Sequence, residues 1–556
     1  MNKLSTPDYI VFVLYFVIIV VYGFYVYRRK KKAQADSKDY FLAEGSLTWW
    51  AIGASLIASN ISAEQFIGMS GSGFTMGLAI ATYEWMAAFT LIIVAVFFLP
   101  VYIKNKIYTM PQFLHQRYNQ NVALVMSIFW LLLYVLVNLT SILYLGALAL
   151  HSISGINLTA AMIFLAFFAV IITLGGMKVI GYTDVIQVCF LILGGLVTTY
   201  LALNLVSSGS GISGVADGLN IIKIKASEHL HMIFSKTDSY YMDLPGLSVL
   251  IGGMLIVNLN YFGCNQYITQ RALGANLNTA RNGLVFAAFL KLIMPIIVVL
   301  PGIAAYVLYQ NGTFETALLQ DGEINPDKAY PTLLNLLPSG LKGLSFAALT
   351  AAIVASLAGK ANSIATIFTL DIYKKYFNTS ATETQMVKVG KLSIIIAVIA
   401  AIVVAPFLGI DKKGGFQYIQ EYTGFVSPGV FAMFLLGFFW KKATSGAAMF
   451  ATLGGFLFSV ILKILPLYFN LSCLYKIGFA VPNASGVYEI PFIDRMSIVF
   501  IVCVMGMYFI SKYQIKGGIV AKGLEMDAAM FKTSKTFAAC SFVIMVILTV
   551  LYATFW

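Results

Sequence analysis

Charged side chains are costly inside a bilayer and functional there by default. This sequence sets a few of them within long apolar runs. Glu84 stands in Tyr83-Glu84-Trp85 and Lys291 in Phe289-Leu290-Lys291-Leu292. A carboxylate accepts hydroxyl hydrogens and an ammonium donates to hydroxyl oxygens. The two can therefore pair with each other or share a neutral polyhydroxylated solute. Asp184 opens a run in Tyr182-Thr183-Asp184. It reads either as a helix N-terminal acid favoured by the dipole or as an inner-side acid on a cation exit path. Ser356 and Lys360 are four residues apart and share a helix face. A Ser hydroxyl with backbone carbonyls supplies hard oxygen ligands for Na⁺; the alternative is a bond to its own i−4 carbonyl. Lys463 and Arg495 stand near run ends and read as side chains that snorkel to the interface.

Two runs are interrupted. Ser59-Asn60-Ile61-Ser62-Ala63-Glu64-Gln65 lies in mid-run, flanked by Gly53, Gly68, Gly71 and Gly73, and another run contains Asn258-Leu259-Asn260-Tyr261-Phe262-Gly263-Cys264-Asn265. Such interruptions either glue packed helices together or mark irregular backbone lining a cavity. Tyr261 puts a ring inside one, where it can stack on the C–H face of a sugar. Gln65, Asn258 and Gln420 add amides, and Met69 and Phe416 can form an apolar lid on the outer side.

The elements that must position these residues follow from composition. Of 556 residues, 60% are hydrophobic and only 11% charged, against about 25% charged in soluble domains. That excludes a soluble enzyme, a disordered chain, a collagen and a disulfide scaffold. A helix needs about 20 apolar residues to cross a bilayer. Fourteen runs qualify: 8–27, 47–74, 78–103, 122–150, 158–176, 183–206, 247–268, 283–308, 343–373, 391–409, 415–440, 444–469, 491–511 and 536–556. The first lacks a basic segment before it and is followed by Arg28 to Lys32, so it reads as a retained span rather than a signal peptide. Alternating from there puts 23 of the 36 Lys and Arg on the inner side, nine outside, and four in spans. That bias supports fourteen spans with both termini outside. The net charge of +13 is thus topological and implies no nucleic acid. Short surface helices are expected in the two long outer segments, 207–246 and 309–342.

The interruptions fall in spans two and seven, five apart and opposite in direction. Spans 2–6 and 7–11 can form two inverted repeats, and paired interruptions of this kind point to a secondary transporter's midplane site. A channel filter, a soluble output domain or a nucleophile with its base is not evident, which disfavours a channel, a sensor or an enzyme. The five Cys and four His show no metal spacing, and the thiols read as buried and inert.

These segments resemble the sodium/solute symporter family, most closely the bacterial sodium/galactose branch of sodium/glucose cotransporters. The resemblance covers nearly the whole chain. It rests on SNISAEQFIG at 59–68, YTDVIQ at 182–187, NQYITQR at 265–271, FAAFLKL at 286–292, PGIAAYV at 301–307 and QYIQEYTGFVSPG at 417–429. It implies an all-α polytopic membrane protein of fourteen transmembrane helices with a LeuT-type five-plus-five inverted-repeat core. The whole chain would be one transporter domain: an extra helix at 8–27, a first repeat at 47–206, an inverted second repeat at 247–440 and C-terminal helices at 444–556. The implied activity is Na⁺-coupled uptake of a hexose-like sugar by alternating access across the inner (plasma) membrane, with no organic cofactor and no obligatory protein partner. Coupling to H⁺, or carriage of an inositol, an acidic sugar or an organic acid, is the alternative. Carried over by motif, Gln65, Glu84, Asn258, Lys291 and Gln420 would bind the sugar. Tyr261 would stack beneath it as inner gate, bonded to Asn60, with Met69 and Phe416 as outer gate. Na⁺ would sit on carbonyls of Ala58, Ile61 and Ala352 and the Ser356 hydroxyl, with Asp184 on its exit path. The sequence departs from that branch at Ala87, Ala355, Phe262 and Lys360.

Overall fold

A computed structural model of the chain describes residues 4–28, 47–209, 211, 213–314, 316–320, 322–407, 415–483 and 485–556. Lys3, Arg29 to Lys32, Lys38, Ser210, Lys412 and Lys413, used above to judge orientation or loops, lie outside the described residues. The described chain is helical throughout, with two short antiparallel hairpins, Leu319–Gln320 with Glu323–Ile324 and Val481–Pro482 with Tyr488–Glu489.

The main helices are α1 (Thr6–Arg28), α2 (Trp49–Asn60), α3 (Ser70–Met76), α4 (Thr82–Ile93), α5 (Gln120–Ser154), α6 (Leu158–Leu174) and α7 (Met177–Ser208). They continue with α8 (Gly253–Cys264), α9 (Gln266–Leu273), α10 (Leu277–Gln310), α11 (Leu341–Phe377) and α12 (Glu383–Phe407). The last are α13 (Gly415–Gly424), α14 (Ser427–Phe439), α15 (Ser445–Leu467), α16 (Phe492–Lys516) and α17 (Lys535–Thr554). Among the described residues ten helical runs are long and apolar enough to cross a membrane, and two bent pairs raise this to twelve. The bent pairs are Ser248–Cys264 with Gln266–Leu273, at 49°, and Phe416–Gly424 with Ser427–Phe439, at 52°. The second bend was not expected from sequence, although Gly424 and Pro428 flank it. Pro428 enters the first turn of α14, where its missing N–H costs nothing.

The contacts divide the chain into two compact units. The first comprises Met1–Ala81, Leu131–His231 and Asn282–Ile419, and the second Thr82–Trp130, Met232–Arg281 and Gln420–Trp556. In the first, α11 packs on α7, α6, α1 and α2. Its most apolar window is 89% buried, so it is the core helix of that unit and its polar residues meet protein rather than lipid. In the second, α8 packs on α4, α14 and α16.

Local chemistry sets the ends of these helices. Thr382 and Gln385 form a reciprocal capping box at the start of α12. Asn157 caps α6 by accepting from Thr159 and Ala160 amides, and Gly155 ends α5 in the left-handed region at φ 74°. The two long connecting segments do carry short helices, at Val215–Lys225, Ser227–Leu230 and Ala329–Asn335. All five cysteines are free, but only Cys264 and Cys503 are buried; Cys189, Cys473 and Cys540 are exposed.

Candidate functional site

The interruption after α2 is a true break. Ile61 is extended (φ −83°, ψ 115°) and its N–H returns to the Ile57 carbonyl at 2.8 Å. The helix resumes as a π-turn over Glu64–Met69 and then as α3. The Ser62 N–H, which an unbroken helix would give to the Ala58 carbonyl, is instead accepted by Gln65 Oε1 at 2.9 Å. Ser62 Oγ donates to the same oxygen at 3.1 Å. Gln65 thus holds the break open with its own side chain. The carbonyls of Ala58 to Asn60 lie past that last helical bond and form the negative end of the α2 dipole.

Ser356 meets this end. Its hydroxyl donates to the Ser59 carbonyl at 3.1 Å rather than to its own i−4 carbonyl. Ser59 lies between Ala58 and Ile61, and Ala58, Ile61, Ala352 and Ser356 are all buried. The structure therefore joins α11 to α2 at the broken turn, where carbonyls and a hydroxyl make an oxygen-rich, cation-favouring locus. Lys291 reaches the same turn from α10: it is buried, and its ammonium donates to Asn60 Oδ1. Lys360 is buried one turn beyond Ser356 on α11.

Asp184 does not open a helix. α7 begins at Met177, after Gly176 at φ 81°, so Asp184 lies two turns in, beyond the reach of a helix-end dipole. It is fully buried, and Ser55 Oγ donates to its Oδ2 at 2.5 Å. Ser55 and Ser59 are i and i+4 on α2. Their alignment puts a hydroxyl and a carboxylate about 6 Å along the helix from Ser59.

Met69 and Phe416, the pair expected to form an apolar lid, both lie in the first unit. Both are buried, and α3's approach requires Gly68. A Cβ there would stand 2.7 Å from the Phe416 amide nitrogen, closer than backbone can yield. Beyond α3, Gly77 is left-handed at φ 67° and packs so tightly on His229 that a Cβ would meet its carbonyl oxygen at 2.2 Å.

The second unit carries Glu84 on α4, Asn258 and Tyr261 on α8, and Gln420 on α13. Glu84 and Asn258 are buried; Tyr261 and Gln420 are half-buried. Here the sequence reading needs correction. The segment Asn258–Cys264 is not unwound but lies within α8. Asn258 Nδ2 donates to its own i−4 carbonyl, Met254, at 3.1 Å, so the polar side chain is satisfied inside the helix. The break comes one residue later, at extended Asn265. Tyr102, which no sequence motif singled out, stabilises it by donating to the Gly263 carbonyl at 2.7 Å. Gln266 Oε1 accepts from the Met110 amide at 2.7 Å. Asn260 Nδ2 donates to Ser427 Oγ at 3.2 Å, tying α8 to α14. Tyr261 packs edge-on against Phe262 and Tyr267, with ring centroids at 4.9 and 5.6 Å.

Lys463 and Arg495 are not simple snorkellers either. Both turn onto Glu421, at 2.8 and 2.7 Å. Ser55 and Tyr102 escaped the sequence reading. The serine was findable, since it lies four residues before Ser59; the tyrosine stands in an ordinary apolar run.

Broken membrane helices that present carbonyls and buried charges are the arrangement on which secondary transporters build their solute sites. Comparison with known proteins makes this specific. Residues 40–455 match the family model described as the sodium:solute symporter family. The chain is 46% identical to a sodium/glucose cotransporter of Vibrio parahaemolyticus, over 100% of this chain and 99% of that one. It is 32% identical to human sodium/myo-inositol cotransporter 2, over 83% of this chain and 70% of that protein. In fold it resembles a Na⁺-coupled sialic acid symporter in a substrate-bound outward-open state, with a TM-score of 0.74, 23% identity, and coverage of 94% and 100% of the two chains. The chain belongs to the sodium:solute symporter family, and it is a multi-pass membrane transporter.

Proposed function

We propose that this protein is a Na⁺/hexose symporter working by alternating access, with fourteen spans and both termini outside. Beyond the twelve spans above, α6 supplies one more, and left-handed Gly77 divides the helical run Glu64–Lys104 between two. Spans 47–206 and 247–440 form the inverted repeats.

Na⁺ binds to the carbonyls of Ala58, Ile61 and Ala352 and the Ser356 hydroxyl, and leaves past Asp184. The solute binds through Gln65, Glu84, Asn258, Lys291 and Gln420, with Tyr261 stacked against it as inner gate. Met69 and Phe416 close the outer side. Asn60 links the two functions, because it stands in the cation's broken turn and accepts from Lys291. Bound Na⁺ orders that turn and so presents Gln65 and Lys291 to the solute. This is a coupling free energy between two sites.

The supporting observation is the hydrogen bond from Ser356 to Ser59 at the broken turn. One charge crossing 100 mV supplies about 2.3 kcal/mol. A tenfold Na⁺ gradient adds about 1.4 kcal/mol, and together they sustain roughly 500-fold accumulation per ion. The similarity to human sodium/myo-inositol cotransporter 2 supports a second reading, a cyclic polyol as solute.

Counterflow in proteoliposomes with labelled glucose, galactose and myo-inositol, with and without Na⁺, tests both. We expect Na⁺-dependent exchange of a hexose. Exchange of myo-inositol alone would favour the second reading, and exchange indifferent to Na⁺ would overturn sodium coupling.

A further inference from the structure

We infer that Glu421, Lys463 and Arg495 form an ion clamp that positions Gln420, and the inference rests on reading Gln420 as a solute-binding residue. α13 is a ten-residue half-helix, set off from α14 by the 52° bend at Phe425 and Val426. Phe416 and Ile419 are buried on it, and Glu421 adds a charged anchor beyond them. Its Oε1 accepts from Lys463 Nζ on α15 at 2.8 Å and from Arg495 Nη2 on α16 at 2.7 Å. Cations on two helices thus converge on one carboxylate from a third.

The two arms differ in weight. The Arg495 side chain is 7% exposed and that of Lys463 35%, so solvent screens the lysine more. Arg495 forms the strong, charge-assisted arm. Its guanidinium also lies 5.5 Å from the centroid of the Phe425 ring, at the bend itself. Lys463 extends the network to Glu489 at 3.7 Å, and Asn483 on the same hairpin donates to Glu489 at 2.7 Å. The hairpin between α15 and α16 is thereby tied to α13.

The link to function is geometric. Successive residues on an α-helix are rotated by about 100°. Fixing Glu421 toward α15 and α16 therefore fixes the direction in which Gln420 points. A loosened Glu421 lets the half-helix roll and swings Gln420 off its mark, while the broken turn of α2 and its cation ligands lie on other elements.

The test is glucose uptake by the full chain in proteoliposomes, together with radiolabelled Na⁺ binding measured without sugar. Glu421→Gln and Arg495→Ala should each raise the glucose half-saturation about tenfold and leave sugar-free Na⁺ binding unchanged. Arg495→Lys should recover part of the loss, and Lys463→Met should cost less than Arg495→Ala. Gln420→Ala should raise the half-saturation too, and combining it with Glu421→Gln should add nothing further, since both remove the same contact. A fall in melting temperature with unchanged glucose half-saturation, or full additivity of the double variant, would overturn the clamp. A Gln420→Ala protein with unchanged glucose half-saturation would instead refute the reading of Gln420 itself.

Discussion

The two interrupted helices look alike in sequence and differ in structure. Each has Asn, Gly and hydroxyl or thiol residues in mid-run. After α2 the backbone opens over Ile61 to Ala63; Gln65 takes up the Ser62 amide, Ser356 donates to the Ser59 carbonyl, and Lys291 donates to the Asn60 side chain. In α8 the backbone stays helical to Cys264, and Asn258 spends its amide on its own helix. The first arrangement exposes carbonyls, which suit a cation. The second keeps its carbonyls paired and offers side chains, which suit a polyol. One sequence signature thus takes two backbone courses, and what separates them is where the Ser62 amide and the Asn258 amide find partners.

Removing the ammonium at the α2 break should have the largest effect. Lys291→Ala leaves Asn60 without its buried donor, and we expect sugar uptake to be abolished while the protein still reaches the membrane. Ser356→Ala comes next. Losing a buried hydroxyl partner costs about 1–3 kcal/mol, so Na⁺ half-saturation should rise roughly tenfold or more. The equivalent cut in α8, Asn258→Ala, should weaken sugar half-saturation by about fivefold, on the order of 1 kcal/mol, and leave sugar-free Na⁺ binding alone. If Asn258→Ala weakens Na⁺ binding as much as Ser356→Ala does, the division between the two helices is wrong. Tyr102→Phe removes the bond to the Gly263 carbonyl and should lower the melting temperature by about one degree, for about 1 kcal/mol, with little change in either half-saturation.

The smallest effect concerns His229, which docks the outer segment against Gly77. Burial pulls its pKa below the usual histidine range, opposed by its contact with the Phe74 carbonyl and by Glu228. The folded protein prefers the neutral ring. Stability is therefore full above the unfolded value of about 6.5 and declines as pH falls below it. His229→Gln should flatten that acid-side decline in melting temperature.

Much of this was legible because charge is scarce. The apolar runs placed most of the helices, although α7, α10 and α12 begin six to eight residues before the runs that announced them, and Glu84, Lys291 and Asp184 stood out against them. The broken turn after α2 was legible too, since Ser-Asn-Ile-Ser offers many polar groups and no helical stripe. Other features depend on partners far away in the chain. The helical course of Asn258–Cys264 follows from a local i−4 bond that competes invisibly with unwinding. The start of α7 at Met177 follows from the left-handed Gly176, and not from the acid at Asp184. The turn of Lys463 and Arg495 onto Glu421 needs three helices side by side, which no local pattern announces.

The central claim is that a cation at the broken turn of α2 and a sugar assist one another. Radiolabelled Na⁺ binding to the purified protein, with and without glucose, tests it most directly. Coupling is reciprocal, so glucose should tighten Na⁺ binding by the same factor by which Na⁺ tightens glucose, and Ser356→Ala should lose both. Na⁺ binding that ignores glucose, or that survives Ser356→Ala intact, would contradict the account.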